Sequence, residues 1–150
     1  MGRAVHLLDV NLLVALFDPA HIHHDAAHAW FAGERAHGWA TCPMTENGLI
    51  RVLSNPAYPG RRTTVADAAD RLRRFLASGG HEFWPDGVSL LDNDLVEVAH
   101  LTGHREITDA YLLALAVRRG HRLATLDRGI RLAAVRGATA DHLCVVPPLA

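Results

Sequence analysis

The stretch VHLLDVNLLVALFDP, Val5 to Pro19, begins as a short apolar run, stops on Asp9, and continues from Asn11 to Phe17 with helical spacing before Pro19 closes it. The same alternation of short apolar runs and amphipathic stretches continues to the end of the chain. HHDAAHAWFAGERAH sets Ala27, Trp30, Phe31 and Glu34 at helical intervals, with Gly38 as a stop signal, and WATCP then reads as a second strand ended by Pro43. In TENGLIRVLSNP, Thr45 is the expected N-cap of a helix whose apolar stripe is Leu49, Ile50, Val52 and Leu53, broken by Asn55-Pro56. TVADAADRLRRFLASGG predicts an amphipathic helix with Val65, Ala69, Leu72, Phe75 and Leu76 inward, stopped at Gly79-Gly80. HEFWP reads as a strand, DNDLVEVAHL as a helix, DAYLLALAVRRG as a helix capped by Thr108 and ended by Gly120, and HRLATLD and HLCVVP as the last two strands. Strands alternating with helices predict an α/β fold on a mainly parallel sheet.

At 150 residues and 49% hydrophobic, the chain is long enough for one domain with its own core, so residues 1–150 are read as a single unit. No apolar run approaches the ~18 residues of a membrane span, and no signal-peptide cleavage pattern follows the N-terminus, which points to a cytoplasmic protein with no membrane partner. Cys42 and Cys144 have neither zinc nor redox spacing and read as small apolar residues. All fifteen basic residues are arginine. A chain without lysine is not a Walker-A nucleotide hydrolase, a Schiff-base enzyme, or a phospho-aspartate machine that uses lysine on the phosphoryl group.

Most of the sixteen acids fall where solvated helix faces are expected. Four do not. Asp9 ends the first strand, Glu46 opens the helix after the second, Asp109 opens the helix behind Thr108, and Asp127 ends HRLATLD. In a parallel sheet all strand C-termini share one edge, so these four positions converge. Asp109 alone is explained by the helix dipole, worth ~0.3–1 kcal/mol, and Glu46 in the same way. Four carboxylates within ~5 Å of one another would repel by roughly 3 kcal/mol per pair at an effective dielectric near 20. Either some of them stay protonated or a hard divalent cation neutralises them, and an all-oxygen set favours Mg²⁺ or Mn²⁺.

The ordered series LLDVNLLVAL, TENGLIRVL, ITDAYLLALAVRRG and LATLDRGI resembles the PIN domain, specifically the VapC toxins of bacterial toxin–antitoxin pairs, from Val5 to Val146. The resemblance implies a three-layer α/β/α fold and an acidic quartet falling on Asp9, Glu46, Asp109 and Asp127, with Asn11 and Thr125 as supporting polar residues. It implies an Mg²⁺-dependent endoribonuclease, with Mn²⁺ a possible substitute, in which one or two cations activate water against the RNA phosphodiester. It also implies a VapB-like antitoxin and a homodimer. A catalytically silent PIN-like module that binds RNA or protein is the alternative, which the intact quartet disfavours, and DNA cleavage stays open.

His21, His23, His24 and His28 read as a solvated helix start rather than a zinc site, since no H-E-x-x-H pattern accompanies them. Most arginines read as solubilising charge, with Arg119 and Arg128 as the candidates for RNA phosphate contacts. Leu13, Phe17, Leu49 and Leu53 are the expected anchoring surface for an inhibitor segment.

Overall fold

Five short strands, β1 (His6–Leu8), β2 (Trp39–Thr41), β3 (His81–Phe83), β4 (Arg122–Thr125) and β5 (Leu143–Val145), pair in the order β3-β2-β1-β4-β5, every neighbour parallel. The computed structural model describes residues 3–149. Strands this short hold because both faces of the sheet are covered. Leu8, Trp39 and Ala124 pack against α1 (Val10–Phe17), α2 (His24–Glu34), α3 (Pro43–Ser54) and α4 (Val65–Leu76). Leu7, Ala40, Cys42 and Leu123 face α5 (Ile107–Arg119) and the segments around Trp84, Leu95 and Val135. The result is the three-layer α/β/α arrangement with a parallel sheet. Both cysteines are free thiols, Cys42 buried and Cys144 half-buried.

Strand order reverses direction between β1 and β4, the crevice position where open α/β sheets expose their strand ends to ligands. Asp9 follows β1 there, and Leu126 and Asp127 follow β4. α3 closes the site from the side. A Cβ on Gly48 would lie 2.5 Å from Val10 Cγ2, so only glycine lets α3 approach the first turn of α1 this closely.

Four local expectations are corrected. DNDLVEVAHL is not an α-helix: Asp92 turns the chain by accepting Asp94 N–H, Val96 forms an antiparallel bridge with Val135, and only Val98–His100 makes a single tight turn. Its apolar Leu95 and Val96 are buried by this long-range pairing, which competes successfully with helical hydrogen bonds. Thr45 is not the N-cap of α3 but its third residue, where its hydroxyl accepts the Cys42 N–H at 3.0 Å behind Pro43. Thr108 lies inside α5, whose entry is organised instead by Glu106, which accepts from Thr102 N, Thr102 Oγ1 and Gly103 N. In α4 Leu72 is buried and Phe75 and Leu76 pack against the core as expected, but Ala68 rather than Ala69 is the buried alanine and Val65 is 61% exposed.

Candidate active site

Asp9 is the N-cap of α1, and its Oδ1 accepts the Val10 N–H at 2.7 Å. An aspartate is favoured there by the free N–H groups and the dipole of the helix. Its other oxygen, Oδ2, accepts the Thr125 hydroxyl at 2.7 Å, a contact across 116 residues. The Thr125 proton is thereby committed, so Thr125 Oγ1 acts as acceptor for Asp127 N at 3.0 Å and Asn11 Nδ2 at 3.2 Å. Asn11 Oδ1 in turn accepts Leu126 N at 3.1 Å. Asn11 and Thr125 thus clamp the end of β4 to the start of α1 and fix the rotamer of Asp9.

Asp109, in the first turn of α5, completes a cluster with Asp9 and Asp127. Burial, then the charges of Asp9 and Asp127 and a hydrogen bond with Asp127, push the Asp109 carboxyl up to about 7. Asp9, only 4% exposed, is also raised, by burial first, with the Thr125 and Val10 hydrogen bonds opposing it and Asp127 adding to it. None of the ion pairs among the described residues includes these three acids. The cluster therefore holds more negative charge than its surroundings offset.

Glu46 occupies the first turn of α3. Its Oε2 accepts the Thr41 hydroxyl at 2.6 Å, and His81 Nε2 lies 2.7 Å from the same hydroxyl oxygen. Of the four carboxylates expected to converge, Asp9 and Asp127 both act on Asp109, while Glu46 is tied to β2. Thr41 and His81 are site-adjacent residues that the sequence did not single out. Forty positions separate them, and no spacing rule links a residue at the end of one strand to one at the start of its neighbour.

A hard cation suits this donor set. The groups are carboxylate oxygens, partly buried, and costly to ionise together, which is the setting an oxygen-seeking divalent ion relieves. Among the described residues no three His, Cys, Asp or Glu side chains are gathered closely enough to hold an ion by themselves. Mg²⁺ does not require that: it commonly binds through one or two carboxylates, retaining waters and taking substrate phosphate oxygens.

The basic residues sort by position. Arg128 is exposed and follows Asp127 directly. Arg119 is at the opposite end of α5 from Asp109, ~15 Å along the helix axis, with its guanidinium 5.2 Å from the Trp84 ring centre. It is not beside the carboxylates. His24 Nδ1 donates to Ala15 O at 2.7 Å and His28 Nε2 to Leu16 O at 2.8 Å, so the histidine-rich segment is more than a solvated helix start: two of its members cap the C-terminal carbonyls of α1. Leu13, Phe17, Leu49 and Leu53 are all buried in the core, which corrects their assignment as free anchoring surface. Only Phe17 and Leu53 reach the wall of a cavity of about 590 Å³ at the C-terminal end of α1, shared with Tyr58, Arg61 and Arg71 and containing none of the four acids.

With this geometry established, comparison with known proteins identifies the family. A profile of the PIN domain matches residues 6–136. The chain is 46% identical to ribonuclease VapC44 of Mycobacterium tuberculosis over 140 residues, covering 93% of this chain and 98% of the relative. It is 49% identical to ribonuclease VapC38 of the same organism over 124 residues, covering 83% and 86%. Two solved structures share its fold: VapC20 of M. tuberculosis, described as a toxin that cleaves the sarcin–ricin loop, with a TM-score of 0.58, 15% identity and coverage of 81% and 87%, and PAE2754 of Pyrobaculum aerophilum, with a TM-score of 0.57, 24% identity and coverage of 95% and 84%. A parallel sheet whose β1 and β4 deliver Asp9 and Asp127 to one edge, under an α5 that adds Asp109, is thus found in a chain that belongs to the PIN-domain family, among its VapC members.

Proposed function

We propose that the protein is an Mg²⁺-dependent endoribonuclease, the toxin of a toxin–antitoxin pair, whose site is Asp9, Asp109, Asp127 and Glu46. One observation carries the reading: Asp9 and Asp109 are carboxylates of raised proton affinity beside Asp127, with no ion pair to any of the three among the described residues, in a chain whose VapC relatives are named ribonucleases. Residues 1–150 act as one PIN domain; β5 supports this by completing the sheet beyond the matched segment.

When bound, the cation, Mg²⁺ or in its place Mn²⁺, supplies Lewis-acid activation of water and of the scissile phosphate. Asp9 and Asp109 are its proposed principal ligands, with Asp127 and Glu46 holding it directly or through water. Thr125 and Asn11 keep Asp9 in one rotamer, so its oxygens do not have to be ordered again at each turnover. Asp109, whose carboxyl is raised to about 7, would hold a proton in the absence of an ion and give it up where one is bound. Arg128, beside Asp127, is the proposed contact to the RNA backbone. It offers charge-assisted hydrogen bonds to phosphate that an acidic pocket cannot make.

The proposed partners are RNA, a VapB-like antitoxin, and a second copy of the chain. No helix among the described residues is long and apolar enough to cross a membrane, in keeping with work in the cytoplasm on RNA. The test is to incubate the purified protein with structured and unstructured RNAs in Mg²⁺ or EDTA and to map the cuts. Internal cleavage that needs the ion and is lost in Asp9→Asn supports the reading. Stoichiometric RNA binding with no cleavage under any divalent ion would instead make the chain a silent binding module. Co-expression with the neighbouring gene product tests the toxin assignment, which fails if no neighbour co-purifies and the host tolerates the isolated chain at high expression.

A further inference from the structure

We propose that Thr41 and His81 are positioning residues for Glu46, acting through a hydrogen-bond chain of fixed direction that leaves the carboxylate one free oxygen for the acidic edge. The inference rests on the reading of Glu46 as a cation ligand.

The direction follows from counting protons. Thr41 Oγ1 is 2.6 Å from Glu46 Oε2 and 2.7 Å from His81 Nε2, and a hydroxyl has one hydrogen. An ionised carboxylate only accepts, so that hydrogen points to Glu46. His81 Nε2 must then carry a hydrogen and donate it to Thr41 Oγ1. Both the neutral Nε2–H tautomer and the imidazolium satisfy this, so the chain does not depend on the charge of the ring. Thr41 is fully buried, which removes water as a competitor.

Three elements are tied together in this way. His81 is on β3, Thr41 on β2 and Glu46 in the first turn of α3. The imidazole packs against Trp39, ring centres 4.9 Å apart, so its orientation is held by a buried indole as well as by Thr41. With Oε2 occupied and no hydrogen bond reaching Oε1 among the described residues, Glu46 presents a single oxygen. A carboxylate held that way would offer a cation one oxygen, which suits an ion that keeps most of its waters. Glu46 is thereby oriented before the ion arrives, as metal-ligating groups commonly are by the residues behind them.

The experiment is a Mn²⁺ titration of the full chain, with free ion followed by electron paramagnetic resonance, on Glu46→Gln, Thr41→Val, Thr41→Ser, His81→Phe and His81→Gln. Thr41→Val keeps the shape and removes the donor; Thr41→Ser restores it. His81→Phe keeps the ring on Trp39 without its N–H; His81→Gln restores a donor. The expected result is a loss of Mn²⁺ affinity of about 10–100-fold in Thr41→Val and His81→Phe, with near wild-type binding in Thr41→Ser and His81→Gln. Loss in Glu46→Gln together with wild-type binding in Thr41→Val and His81→Phe overturns this inference alone. Unchanged binding in Glu46→Gln overturns it together with the assignment of Glu46 as a ligand. Should Thr41→Val not fold, the two variants of the half-buried His81 decide the matter.

Discussion

At its N-terminus α1 carries Asp9 beside two further aspartates, while at its C-terminus the carbonyls of Ala15, Leu16 and Phe17 receive His24 at 2.7 Å, His28 at 2.8 Å and Arg71 at 2.6 Å. Both ends place the charge that the helix dipole prefers, negative at the start and donors at the finish. The C-terminal end stops there. Each donor meets one orphan carbonyl, and Arg71 also lies 5.3 Å above the Phe17 ring, so the arrangement is complete as a device for stability. The N-terminal end exceeds what capping needs: Asp127 raises the proton affinity of Asp9, and Asp9 and Asp127 together raise that of Asp109. The same helix shows charge spent on folding at one end and charge held against folding at the other, and the second pattern is the one the proposed site rests on.

The sharpest way to break this comparison is to neutralise the N-terminal end. Asp9→Asn and Asp109→Asn are expected to lower Mg²⁺-dependent RNA cleavage by more than the ~10–100-fold typical of residues behind a metal ligand, with circular dichroism unchanged. Cleavage at the wild-type rate by both variants would remove the acid cluster from the chemistry.

Stability should move the other way. Folded Asp109 holds its proton to about 7, against 3.8 for a free aspartate, so between these values the folded state binds more protons and loses stability as pH rises. Its penalty is absent well below pH 4 and complete above pH 7. Asp109→Asn in EDTA is therefore expected to melt about 2–8 °C higher than wild type at pH 8, with the gain vanishing toward pH 4. Scanning calorimetry across that range checks it; a gain that grows toward acid has the wrong sign for this cause.

The C-terminal end should give the opposite result. Arg71→Ala is expected to cost about 1–3 kcal/mol in urea unfolding, since it frees a carbonyl and uncovers Phe17. His24→Ala and His28→Ala should cost about 0.5–1.5 kcal/mol each. The triple change of His23, His24 and His28 to Gln should leave RNA cleavage and metal content unaltered, and stoichiometric zinc lost in that variant would assign the cluster a different role. The smallest effect is expected at Arg119, where Ala removes a stacking contact on Trp84 worth about 0.5–1 kcal/mol and leaves the salt dependence of RNA binding unchanged. Arg128→Ala should flatten that dependence, and filter binding at several salt concentrations separates the two.

The carboxylates that converge were legible because position, not environment, brings them together: a strand end and a helix start in a parallel sheet share an edge whatever else the chain does. Strands β1, β2 and β4 could be read from their apolar runs for the same reason. What escaped depends on partners distant in sequence. DNDLVEVAHL has a helical spacing, but Val135 offers Val96 a strand-like bridge, and the tertiary contact prevails. Arg119, expected beside the acidic pocket, lies away from it because helix length, not adjacency to the last strand, sets which end of α5 a residue occupies. Glu46 was expected in the cluster on register alone; its tie to Thr41 and His81 depends on side-chain rotamers that no periodicity encodes.

The bond between Thr125 and Asp9 also has a consequence in time. The groups it joins are 116 residues apart. At synthesis rates of roughly 5–20 residues per second, about 6–23 s separate their appearance on the ribosome. Until β4 pairs with β1, Asp9 lacks the hydroxyl that holds it, and Asp127 has no place beside it. A growing chain therefore passes most of its synthesis without an assembled acidic edge, and translation arrest anywhere before Thr125 yields a fragment that has its first aspartate and no centre in which to use it.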